Sequence, residues 1–449
     1  MFIGTLHQTI KGQIKSQMKY QQISNQLFIK NRKKFVSQMS SKSIAIFNSN
    51  DIYPISADST IPFEQHRDIF YLSGADQEES ILLLFPDALD QKHKEILFVR
   101  ETNAHIAVWE GEKLTKEKAT EVSGIQTIYW LSNFDKVFFD LMTEADTIYF
   151  NTNEHYRQSV ATQTREDRFI IDCKQKFPAH KWAKSNPILQ QIRGVKEPEE
   201  LVLIQQACDI TNKGFKRILE FVKPNVWEYE IEAEYLHEFV RNRSKGFAYT
   251  PIIASGNNAN VLHYIQNNNQ CKDGDLLLMD VAAEYANYSS DMTRTIPVNG
   301  TFSKRQKEVY EAVLRVKNEA TNMLLPGTIW AAYHKEVGKV MTSELLGLGL
   351  LDKADVQNED KDWPSYKKYF MHGTSHHIGL DTHDYGALKT EMKANMVFTV
   401  EPGIYIPEEK MGIRIEDDVV IQEKGKPFNL MQNIPIEVEE IEELMKKPL

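Results

Sequence analysis

The chain has 449 residues, 41% hydrophobic and 26% charged, with 21 Gly and 16 Pro scattered rather than clustered; that is enough for two domains with ample core, and it excludes a disordered or low-complexity chain. No apolar run reaches the length of a membrane span, so no membrane role is expected, and a net charge of −10 disfavours a nucleic-acid role. Cys173, Cys208 and Cys271 are odd in number and lack ligand spacing, which predicts buried reduced thiols in a cytoplasmic protein.

Before Asp51 the chain holds eight Lys or Arg and no acid, a bias shared by transit peptides and nucleic-acid arms. Only Arg32 among the eight is arginine. NQLFIKNRKKFVSQMS reads instead as an amphipathic helix with Leu27, Phe28, Phe35 and Met39 turned inward. MFIGTLHQTIKGQIKSQ reads as preceding a natural start at Met18. From there to about Cys173, strand-like runs (SIAIFNS, SILLLFP, EILFV, TIYF) alternate with helical segments, which predicts an α/β domain.

KQKFPAHKWAKSNPILQQIRGVKEPEE is broken by Pro178, Pro187 and Pro198, and the boundary is expected near 185, dividing the chain into 18–185 and 186–449. Pro198 suits the first turn of a helix whose apolar side is Leu201, Ile204, Cys208, Phe215, Leu219 and Val222. Further on, FVKPNVWEYEIEAEYLHEF and MLLPGTIWAAYHKEVGKVM each read as helix end, proline turn and new helix. An internal repeat and ordinary proline punctuation fit them equally.

Each of those segments precedes a carboxylate hairpin. In LLLMDVAAEYANYSSDMTRTI a strand ends at Asp280 and a returning strand follows Asp291. Ala286-Asn287 suits a turn, and a fold-back near Tyr285 and Ala286 makes the two acids near-opposite partners, their Cβ atoms about 5 Å apart. Like charges so placed repel unless a proton or cation sits between them; one of the pair being an exposed turn aspartate stays open on this stretch alone. In VFTVEPGIYIPEEKMGIRIEDDVVI the turn Pro407 to Gly412 is bracketed by Glu401 and Glu416, which the same geometry places across from each other. Between the hairpins, HGTSHHIGLDTHD carries His372, His376, His377 and His383.

Four carboxylates and an imidazole suit two divalent cations roughly 3.5–4 Å apart. Oxygen-rich ligation with one nitrogen favours Mn²⁺, with Co²⁺, Fe²⁺ or Zn²⁺ as substitutes. The His372–His376 spacing is not the helical HExxH of zinc proteases, because no Glu follows His372 and glycines interrupt the stretch.

Asp280, Asp291, His376, Glu401 and Glu416, with the strings HGTSHHIGLDTHD, TVEPGIYI and GIRIEDDVVI, resemble the pita-bread metallopeptidases, and most of all their aminopeptidase P branch. PFEQHRDIFYLSGADQEESILLLFPD is similar to that branch's N-terminal domain, so the likeness runs from about Met18 to the mid-430s. The resemblance implies a creatinase/aminopeptidase P-like α/β N-terminal domain, followed by an α+β pita-bread catalytic domain with a pseudo-twofold repeat. It also implies those five residues as ligands of two metal ions, and peptides with proline in second position as substrates.

In the expected chemistry a hydroxide bridging the two ions attacks the carbonyl of the Xaa-Pro bond. Glu401 ligates and shuttles the proton, or ligates only. His263 in VLHY and His383 donate to the oxyanion or support from behind. Arg414 holds Asp280 or a neighbouring carboxylate as an anion, His372 walls the proline pocket, and Tyr405 reaches the substrate or packs; the role of His377 is open. Trp109 in HIAVWEGEKL either meets a neighbouring subunit, in a homo-oligomer such as a dimer or tetramer, or is a loop residue half packed on its own domain. The rivals are prolidase, which cuts Xaa-Pro dipeptides, and a pita-bread binding module without catalysis; the latter and metal-independent creatinase are disfavoured because all five ligand residues are present.

Overall fold

The computed structural model describes residues 19–155, 157–158, 160–386 and 389–446, so the reading of residues 1–17 lies outside the described residues. Ser24 caps a helix over Asn25–Val36 by accepting from the Gln26 N–H. Leu27, Phe28 and Phe35 are buried in it. Met39 lies beyond the helix end, half-buried against the core. Arg32 is a fastener of the fold: its buried guanidinium donates to the Leu72 and Ser123 carbonyls at 2.8 and 3.0 Å and to Glu95 at 3.0 Å. Buried donors need such partners.

The N-terminal part is built on a six-stranded mixed sheet, ordered Thr127–Trp130, Glu95–Val99, Ile81–Leu84, Ser43–Asn48, Thr147–Phe150, Lys181–Lys184. The strand Ser43–Asn48 is buried on both faces. Its period-2 alternation sends Ile44 and Ile46 into one core and Ala45 and Phe47 into another, and the second core is continuous with the C-terminal half. The helix Ala104–Glu110 carries Trp109, which is 78% exposed, so the half-packed loop tryptophan is corrected to a helical residue whose ring faces solvent.

After the sheet come helices Asn186–Gly194 and Pro198–Phe221, the second with Pro198 in its first turn. The C-terminal half then repeats one plan. Helix Pro198–Phe221 leads through a proline turn to helix Glu228–Arg241, and helix Lys304–Asn322 leads likewise to Trp330–Gly347. In the two turns Asn225 and Gly327 take φ of 76° and 87° and donate to the carbonyls of Cys271 (2.8 Å) and Met392 (2.9 Å). Gly274 and Asn395, both left-handed, then start the strands Leu276–Asp280 and Val397–Val400. Matched hydrogen bonds at matched positions decide for the repeat over punctuation, and they set Asp280 and Glu401 at equivalent strand ends.

The hairpins differ in register. Glu401 and Glu416 fall opposite each other, since Val400 pairs with Asp417 and Gly403 with Arg414. In the first hairpin Asp280 pairs with Thr293, so Asp291 is its diagonal neighbour rather than its opposite. The cause is the turn. Ala286 and Asn287, with φ of 53° and 67°, form the turn expected of them, a two-residue loop of the kind whose twist suits a hairpin, centred one residue later than the fold-back at Tyr285 and Ala286. Moving the turn centre by one residue moves the register by two, which keeps both acids on one face.

Candidate metal centre

The two strand-end acids, the second hairpin and the histidine loop converge in a crevice. Asp291, His376 and Glu416, all buried, each offer a ligand atom within 4.8 Å of the others. His376 Nε2 lies 3.4 Å from Asp291 and 3.9 Å from Glu401. Its other nitrogen, Nδ1, donates to the His377 carbonyl at 2.9 Å, so Nε2 is turned to the acids, the orientation a metal-binding imidazole needs. Asp280 and Glu401 flank this tight group.

Asp280 is held on both oxygens. Arg414 Nη2 donates to one and the Tyr249 hydroxyl to the other, each at 2.6 Å. The same guanidinium donates to the Tyr405 hydroxyl at 2.9 Å and to Thr293 Oγ1 at 3.0 Å. Thr293 in turn donates to Glu416 at 2.7 Å. His372 Nδ1 donates to the Gly373 carbonyl at 2.8 Å, so its Nε2 accepts the Tyr405 proton, also at 2.8 Å. Burial, with the Arg414 charge, lowers the His372 pKa to about 3 and keeps the ring neutral. One bonded chain thus runs from Asp280 through Arg414 and Tyr405 to His372.

His383 packs beside His376, ring centroids 4.4 Å apart and planes tilted by 60°, and its Nε2 accepts from Arg157 Nη1 at 2.6 Å. Burial and the neighbouring His376 and Arg157 push its pKa down to about 3, which leaves a neutral ring with Nδ1–H free to donate elsewhere. The loop behind it is clamped: Arg193 donates to Asp68 and Asp381 at 2.7 Å and to Asp384, and Lys196 donates to Asp384 at 2.6 Å. His377, of open role, is 3% exposed and packs against Phe398 at 4.3 Å; a Cβ on Gly386 would meet its ring at 1.9 Å, so only glycine fits there. His263 is exposed on a loop of its own.

Burial raises Glu416 well above the ordinary carboxylate range, and the charges of Asp291, Glu401 and Asp280 add to it. Burial likewise lifts Glu401 to about 7, although His376 and Arg414 pull it down. Burial opposes a charge on His376, yet the hydrogen bond to Asp291 and the Glu401 charge outweigh it and take the ring to about 9. Protons here do work that a dication does better, and oxygen-rich donors with one imidazole fit such a cation.

A pH dependence follows. The folded pKa of Glu401 lies above its unfolded value, so between about 4.5 and about 7 the native state binds the extra proton and loses stability as pH rises. His376, raised from 6.5 to about 9, loses its contribution over that higher window, in the same direction. Below about 6.5 the depressed His372 and His383 act in the opposite sense, so the metal-stripped protein should lose Tm from about pH 7 to 9, where His376 alone of these groups titrates, while Mn²⁺ addition restores progressively more of it. A flat Tm in the stripped protein, followed by scanning calorimetry, would contradict the proton-for-metal exchange.

Tyr249, Thr293, Arg157 and Arg193 are absent from the sequence reading. Thr293 had a signal, since it faces Asp280 once the turn is placed correctly. The others come from distant segments and had none.

The profile of metallopeptidase family M24 matches residues 202–423, and that of the aminopeptidase P N-terminal domain matches residues 28–149. The chain is 34% identical to the Xaa-Pro aminopeptidase of Escherichia coli over 440 residues, covering 94% of this chain and 98% of that protein. It is 34% identical to the Xaa-Pro aminopeptidase of Haemophilus influenzae, covering 93% and 96%. The solved structure of zinc-substituted E. coli aminopeptidase P in complex with product superposes with a TM-score of 0.85 at 32% identity, covering 95% of this chain and 99% of that one.

Proposed function

The chain belongs to metallopeptidase family M24 with an aminopeptidase P N-terminal domain, and on that premise we propose that it is a dinuclear Xaa-Pro aminopeptidase, removing the first residue from peptides with proline second. The observation that carries this reading is the buried group of Asp291, His376 and Glu416 flanked by Asp280 and Glu401. These five residues would hold two divalent cations, with Mn²⁺ the preferred pair. When bound, the pair supplies a nucleophile at neutral pH and an electrophile for the scissile carbonyl.

The chain's own residues do the rest. Glu401, placed between His376 and His372, accepts a proton from the attacking water and returns it to the leaving proline nitrogen. His383, its Nε2 taken by Arg157, donates Nδ1–H to the developing oxyanion, and His263 approaches from the opposite loop. Burial raises the Asp280 pKa and Arg414 opposes that rise, favouring the carboxylate, while also aligning Tyr405. Tyr405, 1% exposed, acts by linking Arg414 to His372, whose ring walls the proline site.

Proline must be recognised by ring shape, because the nitrogen of an Xaa-Pro amide has no hydrogen to donate. Beside His383 a cavity of about 530 Å³ opens, lined by Arg67, His155 and Arg157 from the N-terminal half and by Asp381 and Thr382. That space suits peptide continuing beyond proline, which favours an aminopeptidase over the dipeptide-cutting prolidase. Three buried free thiols suit a reducing compartment such as the cytoplasm, and no helix among the described residues is long and apolar enough to cross a membrane. The exposed Val108–Trp109 pair suits contact within a homo-oligomer.

The test is substrate length. Purified protein with Mn²⁺ should cleave tripeptides and longer peptides with proline second faster than Xaa-Pro dipeptides. Cleavage of dipeptides alone would replace this reading by prolidase, and no cleavage of either by a binding module.

A further inference from the structure

Glu228 opens the helix Glu228–Arg241 and is completely buried. Its position in the first turn suits a negative charge. Both oxygens are crowded with donors: Oε1 accepts from the Ser255 N–H at 2.8 Å, the Ser255 hydroxyl at 2.7 Å and Asn258 at 3.2 Å, while Oε2 accepts from the Tyr264 hydroxyl at 2.8 Å and the Asn269 N–H at 2.9 Å. The Glu228 N–H also donates to the Asn269 carbonyl at 3.0 Å. One carboxylate therefore gathers both ends and the middle of the loop from Ser255 to Asn269.

His263 lies in that loop, next to Tyr264. Its exposed ring makes no hydrogen bond to any described residue, so nothing on the ring sets its place; the loop does. The far side of the loop rests on the catalytic half, where Ala259, Leu262 and Tyr264 pack with Leu278 and Tyr405. Hydrogen bonds to an ionised acceptor are roughly twice as strong as neutral ones, and one acid here ties the turn on both sides of the imidazole.

We propose that Glu228 is a positioning residue for His263: its buried carboxylate holds the Ser255–Asn269 loop so that the imidazole is presented to the substrate carbonyl. This rests on the reading of His263 as an oxyanion donor. A glutamine at 228 keeps the size and one acceptor oxygen, but turns an NH₂ toward the Asn269 N–H, setting donor against donor.

The experiment is a double-mutant cycle on Mn²⁺-loaded enzyme with a tripeptide carrying proline second, reading kcat, KM, bound metal and Tm. Glu228→Gln should lower kcat about tenfold with KM and metal content held, as expected when a group active in the transition state is misplaced. Glu228→Gln combined with His263→Ala should be no slower than His263→Ala alone, because the two losses are one loss. A merely structural acid would instead give multiplied losses; that result, or an unchanged kcat in Glu228→Gln, would overturn the inference. Should Glu228→Gln fail to fold, Tyr264→Phe, which removes a single bond to Glu228, goes through the same cycle with the same criteria. Wild-type kcat in His263→Ala would overturn the underlying reading of His263 instead, so the two failures are separable.

Discussion

Glu416→Gln should fold normally and lose turnover roughly 10³-fold, the equivalent of about 4 kcal/mol of charge stabilisation, together with metal content. The side chain is 2% exposed and lies in the field of Asp291, Glu401 and Asp280. An amide has the shape of the acid and can still accept from the Thr293 hydroxyl, which now donates to Glu416 at 2.7 Å. It brings no charge. The isosteric change thus removes what draws a cation while leaving the packing in place. Without metal the sign reverses: one of four mutually repelling acids is gone, so the stripped variant should melt higher than stripped wild type at pH 8. Elemental analysis, tripeptide turnover and Tm on the same preparations test all three. Full occupancy with wild-type turnover would remove Glu416 from the ligand set.

Arg414→Met should have the second largest effect, and on a different quantity. The guanidinium is buried and makes bonds to Asp280, Tyr405 and Thr293 at 2.6, 2.9 and 3.0 Å. Methionine replaces the apolar stem but strands Asp280 beside Asp291 with no counter-charge. Removing one partner of a buried pair costs about 3–5 kcal/mol, and that cost should appear in the metal-stripped protein. In the Mn²⁺-loaded protein the ions supply the counter-charge, so the loss should shrink to the missing hydrogen bonds, about 1 kcal/mol each. Arg414→Lys should fall between, since one ammonium cannot reach three acceptors at once. Urea unfolding with and without Mn²⁺ measures the difference. Equal destabilisation in both states would show that Arg414 does not stand in for a cation at Asp280.

What was legible in the sequence was local. Strand periodicity of two, the turn at Pro407 to Gly412 and the run before Asp280 put Glu401 opposite Glu416 and both aspartates on one hairpin face, because a hairpin is made by residues close in sequence whose register depends on the turn between them. The turn at Ala286 and Asn287 was legible too; the slip of two positions between Asp280 and Asp291 arose from centring the fold-back on Tyr285 and Ala286, one residue early, because neighbouring turn centres differ little in local sequence. Glycines in the histidine loop correctly argued against a helix there.

Tertiary structure alone decided which side chains serve the acids. Arg157 is 226 positions from His383, Thr293 is 123 from Glu416 and Asp68 is 125 from Arg193; no period links residues so far apart. Asp280 and Glu401 became equivalent only through two helix pairs whose turns donate to the carbonyls of Cys271 and Met392, just before the strands that lead to these acids. The physical reason is that hairpin geometry is carried by backbone bonds between near neighbours, whereas Tyr249, Arg157 and Glu228 find their partners only after apolar burial has brought the helices and sheets together and left each buried polar group to be satisfied by whatever lies beside it.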